Sequence, residues 1–324
     1  ISVPRNLVAL VPKGCDLRDA ATATIGTIAM QGVRRSEVSL GDIVCVIGLG
    51  LIGQISAQLM KAAGCRVIGI DIDEGRVNRA KSLGIWAGCS EQCELKDLID
   101  RSTHGRGVDV TLITAATSSS RLLNDAMEYT RPKGKVVLVG DVGLNLRREI
   151  FYKKEIDLLM STSYGPGRYD VNYEDRGQDY PLSYVRWTLN RNMSSYLDLI
   201  ARESLSIKPL IDRIFPIDEI VERFSQLLEG DILGALIDYG PSDPSKVPTS
   251  SETAIKIRGH RLTLSGRINY VLVGAGAFGT SMLVPQLDRM SDKFFFKGVV
   301  TKNGLTGSNF ARSRGVEILS SDID

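Results

Sequence analysis

The sequence predicts an α/β protein built on a doubly wound parallel sheet, followed by part of a second sheet of the same kind. Three observations predict it. Short, largely β-branched apolar runs recur at 43–47, 66–70, 108–114 and 135–139, the pattern of parallel strands buried on both faces. A stretch with helical apolar spacing separates the first two. Glycine-rich turns follow directly on two such runs, at 48–53 and again at 274–279.

Composition sets the outer limits. The 324 residues suffice for two domains, and 43% apolar with 24% charged residues is ordinary for a globular chain. Forty Lys and Arg against 38 Asp and Glu leave a formal charge of +2, so no basic footprint for nucleic acid exists. No apolar run reaches the eighteen residues or so that argue for a membrane span. Residues 1–12 lack the basic start and long apolar stretch of a signal peptide, and a beginning at Ile1 reads as cut. Five cysteines (Cys15, Cys45, Cys65, Cys89, Cys93) are few and odd in number; with Cys45 and Cys65 inside apolar runs, a reducing cytoplasm fits.

The first turn carries the chemistry. Ile43 to Ile47 reads as a strand, and Gly48, Gly50 and Gly53 follow with G-x-G-x-x-G spacing. Ile52, Ile55, Leu59 and Ala62 then recur at helical spacing, Gly64 supplies a stop, and Arg66 to Ile70 forms the second strand. Asp71 closes it, near the ~20-residue offset at which this fingerprint places an acid. Each residue type has a reason. Gly48 allows the strand-to-helix turn, Gly50 leaves room for a pyrophosphate, and Gly53 lets helix and strand approach. The free amides and the helix dipole then face the phosphates.

A carboxylate at Asp71 accepts ribose hydroxyls and repels a 2′-phosphate, so NAD is favoured over NADP. Arg76 lies close enough to weaken that preference, although a solvated helix face is its expected place. Leu51 and Ile52 at the helix start and Ile72 beyond the acid join the expected cofactor-binding set. So do Ala115, Ala116, Val139 and Gly140, at the ends of the later strands. A methyltransferase, which also uses a Gly-rich turn and an acid, is the minor alternative.

Residues 241–253 carry three prolines and few apolar side chains and read as a linker. Beyond it, Arg267 to Val273 precedes Gly274, Gly276 and Gly279, with a helix at Ser281–Leu287 interrupted by Pro285 and a strand at Phe294–Val300. No acid ends that strand, so NADP and NAD both fit this second site. The residues from Ile268 to Asp324 suffice for about one βαβ unit, with an apolar exposed flank. The expected divisions are 1–34, a remnant of a catalytic lobe with an entry helix; 35–165, the first nucleotide-binding (Rossmann) domain; 166–240, a return to that lobe; 241–266, linker; and 267–324, a partial second Rossmann domain.

Other clusters are weaker. Cys89, Cys93 and His104 offer one close pair and a distant His, fewer ligands than a structural zinc site needs, so zinc is not expected. His104 reads as a surface loop residue, and His260, among Lys256, Arg258 and Arg261, as part of a solvated basic linker. Six tyrosines lie within 164–196 (Tyr164, Tyr169, Tyr173, Tyr180, Tyr184, Tyr196), among Trp187, Arg168, Arg176, Arg186 and Arg191 and several acids. Composition suits a sugar or phosphate-bearing substrate and a protein interface equally, and a polar lobe packed on itself is a third reading. No nucleophile or paired catalytic carboxylate is visible.

Val8-Ala9-Leu10-Val11-Pro12, the alanine-rich helix through Ala20-Ala21, Gly41-Asp42-Ile43-Val44 and Gly48-Leu49-Gly50-Leu51-Ile52-Gly53 resemble medium-chain dehydrogenases/reductases of the zinc-type alcohol dehydrogenase superfamily, over about residues 3–239. Ser163 to Asp170, Asp179-Tyr180-Pro181 and Val185-Arg186-Trp187-Thr188 look like a narrower group, bidomain oxidoreductases. These fuse such a dehydrogenase to a glucose–fructose oxidoreductase/inositol dehydrogenase-type module, which would begin near the 274–279 turn. The resemblance implies an NAD(P)-dependent oxidoreductase of which this is a fragment. Its zinc ligands and most of its catalytic lobe would precede Ile1, and the second module's lysine would lie beyond Asp324. It further implies a sugar or nucleotide-sugar substrate, an association with polysaccharide biosynthesis, and a homodimer. Only the glycines of both turns and Asp71 carry over. A non-catalytic nucleotide-binding scaffold is the other reading.

Overall fold

The structure, a computed structural model, describes residues 3–220, 222–223, 232–240, 254–256, 266–301 and 304–320. Two compact units divide the chain, Ile1–Gly240 and Pro241–Asp324.

In the first unit six parallel strands run β3-β2-β1-β4-β5-β6. They are β1 (Ile43–Ile47), β2 (Arg66–Ile70), β3 (Ala87–Cys89), β4 (Val108–Ile113), β5 (Thr130–Leu138) and β6 (Asp157–Met160). This is the order of a Rossmann sheet, whose direction of winding reverses between β1 and β4. All five residues of β1 are buried because both faces are covered. Val44 and Val46 point into one core, with Ile55 and Met60 of the helix α3 (Leu51–Ala62) and Ala29 and Met30 of α2 (Ala23–Ser36). Ile43, Cys45 and Ile47 point into the other, with Leu95, Leu123 and Met127.

The expected boundary at residue 35 falls inside α2, which packs on the sheet as part of its helix layer; Gly32 lies against Val139. The return segment joins the same layer. Its helix Leu189–Ala201 buries Tyr196 completely, and Tyr196 shares a 2.9 Å hydrogen bond with Thr22 Oγ1. The alanine-rich helix expected through Ala20-Ala21 is broken there, into α1 (Leu17–Ala20) and α2. A two-stranded parallel sheet, β7 (Arg213–Pro216) with β8 (Ala235–Asp238), follows.

One half-buried cation fastens the end of a helix. Lys154 Nζ donates to the carbonyls of Met127 (3.1 Å), Glu128 (2.6 Å) and Thr130 (2.7 Å), at the end of the helix Arg121–Tyr129. These carbonyls have no later helical amide to accept from, and a lysine serves them instead. Burial pulls the ammonium below the ordinary lysine range, against Glu128 and Asp100, which raise it. Lys154→Met is expected to lower the unfolding free energy by about 2 kcal/mol, read from a urea transition with unchanged slope.

The second unit holds a sheet ordered β10-β11-β12-β9: β10 (Ile268–Val273), β11 (Phe294–Val300) and β12 (Ile318–Ser320) are parallel, and β9 (Ala254–Lys256) is antiparallel to β12. This corrects the sequence reading twice. β9 lies within the stretch expected as linker, and β10–β11–β12 with the helix Gly304–Arg314 make a complete βαβαβ half instead of one βαβ unit. Pro285 does not interrupt the first helix. It sits at the start of Val284–Asp288, after a π turn at Gly279–Leu283, where its missing N–H costs nothing. Ile268 and Val273 on the edge strand β10 are each 61% exposed, as the apolar flank predicts. The linker residues 241–253 and His260 with its basic neighbours Arg258 and Arg261 lie outside the described residues.

Candidate nucleotide site

The glycine turn sits where the sheet's winding reverses. Gly48 has φ +91°, a left-handed conformation that a side chain resists, and a Cβ there would lie 2.7 Å from the Ala115 amide nitrogen. Gly53 allows the closest approach in the turn: a Cβ would lie 1.9 Å from the Gly48 carbonyl oxygen. At Gly50 a Cβ would meet open space, so nothing fills the room in front of the amides that open α3.

Side chains lock this turn. The Leu49 amide donates to Asp71 Oδ2 (2.6 Å) and the Asp73 amide to Asp71 Oδ1 (3.0 Å), so the acid ties both turns together. Thr114 Oγ1 donates to the Gly48 carbonyl (2.5 Å), and Gln54 Nε2 donates to the carbonyls of Leu49 (3.1 Å) and Arg76 (2.8 Å). A carboxylate has about four acceptor positions, so Asp71 retains capacity for a ribose.

A cavity of about 640 Å³ opens in front of the turn, lined by Gly48, Gly50, Asp71, Ile72, Arg76, Ala115 and Ala116 among the expected residues. Five of the expected residues do not line it. Leu51 and Ile52 turn their side chains to the core, so only their backbone faces the turn. Val139 packs against α2 and the same core. Gly140 is a close-approach position, where a Cβ would lie 2.0 Å from the Ala115 carbonyl. Gly53 likewise acts through packing. The cavity follows the ends of β1 to β4, and no residue after β5 or β6 lines it, which explains why Val139 and Gly140 are outside.

Arg76 belongs to the expected cofactor-binding set, although a solvated helix face is also expected for it. It lines the cavity instead of a solvated face, 3.9 Å from Asp71 Oδ2 and 3.5 Å from Asp73 Oδ2. Ile72 is 97% exposed, an apolar side chain with no protein partner at the cavity mouth. Sequence reasoning missed Ser90, Thr114, Arg121, Leu122 and Asp125, which also line it. The helix Arg121–Tyr129 carries no motif, and only its docking beside β4 brings these side chains in.

The second turn repeats the first in its opening. Gly274 has φ +88° and its amide donates to the Val300 carbonyl (2.7 Å), as Gly48 does to Ile70 (2.8 Å). A Cβ at Gly274 or Gly276 would meet open space, and one at Gly279 would lie 3.2 Å from the Gly274 carbonyl, a looser approach than at Gly53.

The Tyr/Arg segment packs largely on itself, the third of its readings. Tyr173 is fully buried and stacks on Tyr180 with centroids 5.4 Å apart. Tyr180 donates to Asp170, which pushes the phenol up to about 12 and holds the carboxyl below its ordinary value. Arg168 pairs with Glu174 at 2.6 Å, and Arg191 with Asp179 at 2.5 Å. Arg34 and Arg186 both lie over the Trp187 ring; burial first, then Arg186, lowers the Arg34 pKa. Tyr169 and Tyr184 remain exposed. Cys89 and His104 lie just beyond opposite ends of the helix Gln92–Thr103, about 18 Å long, too far apart for one ion. His104 caps that helix in a left-handed conformation, exposed as expected. The Cys93 side chain is outside the described residues.

Fold and turn thus define a Rossmann-type α/β unit. The family model described as zinc-binding dehydrogenase matches residues 52–174. An uncharacterized zinc-type alcohol dehydrogenase-like protein of Escherichia coli (strain K12) is 37% identical over 138 residues, 41% of this chain and 38% of that protein. Sorbitol dehydrogenase of Halalkalibacterium halodurans is 29% identical over 168 residues, 49% of this chain and 48% of that one. The solved structure of galactitol-1-phosphate dehydrogenase from Escherichia coli superposes with a TM-score of 0.59 at 19% identity, over 72% of this chain and 64% of that one. The chain spans about half the length of these curated relatives or less. Over part of its length the chain is thus similar to zinc-type alcohol dehydrogenase-like proteins. No helix among the described residues is long and apolar enough to cross a membrane.

Proposed function

We propose that the chain is the nucleotide-binding part of an NAD(P)-dependent oxidoreductase that moves a hydride between a nicotinamide and an alcohol carbon of a sugar or polyol. One observation carries this: at the reversal of the sheet an open cavity joins the Gly48–Gly50 turn, from which α3 starts, to the Asp71 carboxylate. The residues fit the cofactor. Gly48 makes the turn, Gly50 leaves space for the diphosphate, the α3 amides supply donors for it, Asp71 takes the ribose, and Ile72 offers an apolar face to the base. The bound cofactor supplies the hydride acceptor or donor; these side chains bind and orient it. Because the cavity stops short of β5 and β6, it is assigned to the adenosine diphosphate half, with Val139 and Gly140 left for the nicotinamide side.

The name of the sorbitol dehydrogenase relative supports a polyol-type substrate. The wider reading makes the second unit, through Gly274, Gly276 and Gly279, a second nucleotide site in a glucose–fructose oxidoreductase/inositol dehydrogenase-type module, supported by the repeated turn. A homodimer, the domain divisions apart from α2 and β9, and a reducing compartment belong to the same reading; Cys15, Cys45 and Cys65 are free thiols. Fluorescence titration with NADH, NADPH and S-adenosylmethionine tests it. NADH is expected to bind best and the methyl donor not at all; tight methyl-donor binding without NADH binding would reject it.

A further inference from the structure

We propose that Asp125 reads the amino edge of the purine in this cavity and restricts the site to adenine dinucleotides; the inference rests on the nucleotide reading above. The direction of the ligand follows from the lining. Phosphates belong at the amides beyond Gly50 and the ribose at Asp71, so the base continues past Asp71 to Ile72. There the cavity wall across the sheet end is the helix Arg121–Tyr129, which supplies Leu122 and Asp125. Ile72 and Leu122 are apolar and suit the faces of a flat ring. A ring held by its faces presents its polar edge to whatever lies between them, and the acid in that wall is Asp125.

Its side chain is 18% exposed, and Arg121 Nε stands 3.5 Å from Asp125 Oδ2. That pair is one helical turn apart with Arg121 78% exposed, so it orients the carboxylate more than it stabilises the fold. A carboxylate has acceptor positions beyond those its protein neighbours use. Acceptors match the 6-amino group of adenine, which donates. Hypoxanthine and guanine carry a carbonyl oxygen at that position, and two acceptors facing each other repel. A polar group built for one partner rejects the analogue that cannot complete its hydrogen bond.

The test titrates the full chain with NADH and with reduced nicotinamide hypoxanthine dinucleotide, which replaces the 6-amino group by a carbonyl and carries a proton on N1. Wild type is expected to favour NADH at least tenfold. In Asp125→Asn, whose amide offers a donor as well as an acceptor, the ratio is expected to fall below about threefold with an unchanged thermal midpoint. Equal binding of the two dinucleotides by wild type, or an undiminished preference in Asp125→Asn, overturns the assignment while leaving nucleotide binding intact. Wild type that binds neither overturns the nucleotide reading and this inference with it. The wild-type comparison decides even where the variant fails to fold.

Discussion

Gly53→Val is expected to unfold the nucleotide-binding unit at markedly lower urea and to abolish NADH binding. A Cβ at position 53 would lie 1.9 Å from the Gly48 carbonyl oxygen and 2.8 Å from Thr114 Oγ1. The first of these neighbours is backbone, in a turn already pinned by Asp71, Thr114 and Gln54. Relief requires the helix to leave the strand. Overpacking in a closed core costs about 1–3 kcal/mol and occasionally more. With the nearest partner backbone the loss is expected at about 3 kcal/mol or above, with NADH affinity down at least 100-fold. Gly50→Ala is the contrast. Its φ of −63° suits alanine and its Cβ meets no protein atom. Stability is expected within about 0.5 kcal/mol of wild type, while NADH binding falls at least tenfold, because the methyl occupies the diphosphate's room. Equal melts for Gly53→Val and wild type would contradict the packing argument.

Asp71→Ala is expected to act on selectivity as well as affinity. Removing the carboxylate strips the Leu49 and Asp73 amides of their acceptor, which costs about 1–3 kcal/mol for each amide left unsatisfied out of contact with water. It also removes the negative charge that repels a 2′-phosphate, and it leaves Arg76, now 3.9 Å from Oδ2, without that neighbour. NADH affinity is expected to fall about 100-fold, and the NADPH to NADH preference to move toward NADPH at least tenfold. Asp71→Asn keeps an acceptor for one amide and is expected to lose about tenfold for NADH. Titration of the three proteins with both dinucleotides reads the result; an unchanged preference in Asp71→Ala would separate the acid from ribose recognition.

The first sheet was legible because its strands are covered on both faces, which writes apolar runs such as Ile43–Ile47 directly into the sequence. The turn was legible because its glycines answer to fixed steric demands. The second task of Asp71, holding the Leu49 amide, was not, because a carboxylate at a strand end looks the same whether it faces a ligand or a backbone amide. Asp125 and Leu122 escaped for another reason: helical periodicity separates core-facing from outward positions, and a residue at a cavity wall falls between them. The three residues of β9 are too short to show a period, and among the described residues they pair with β12. In the Tyr/Arg segment composition could not tell an interface from self-packing; the Tyr173–Tyr180 stack and the Arg168–Glu174 pair decide it for those residues.

Where the cofactor lies is the point on which most of this depends. A crystal structure of the chain grown with NADH is expected to show the diphosphate within hydrogen-bonding distance of the Leu51 and Ile52 amides, ribose oxygens on Asp71 and the base against Ile72. A fully formed turn with that cavity empty, or the nucleotide bound anywhere else, would contradict it.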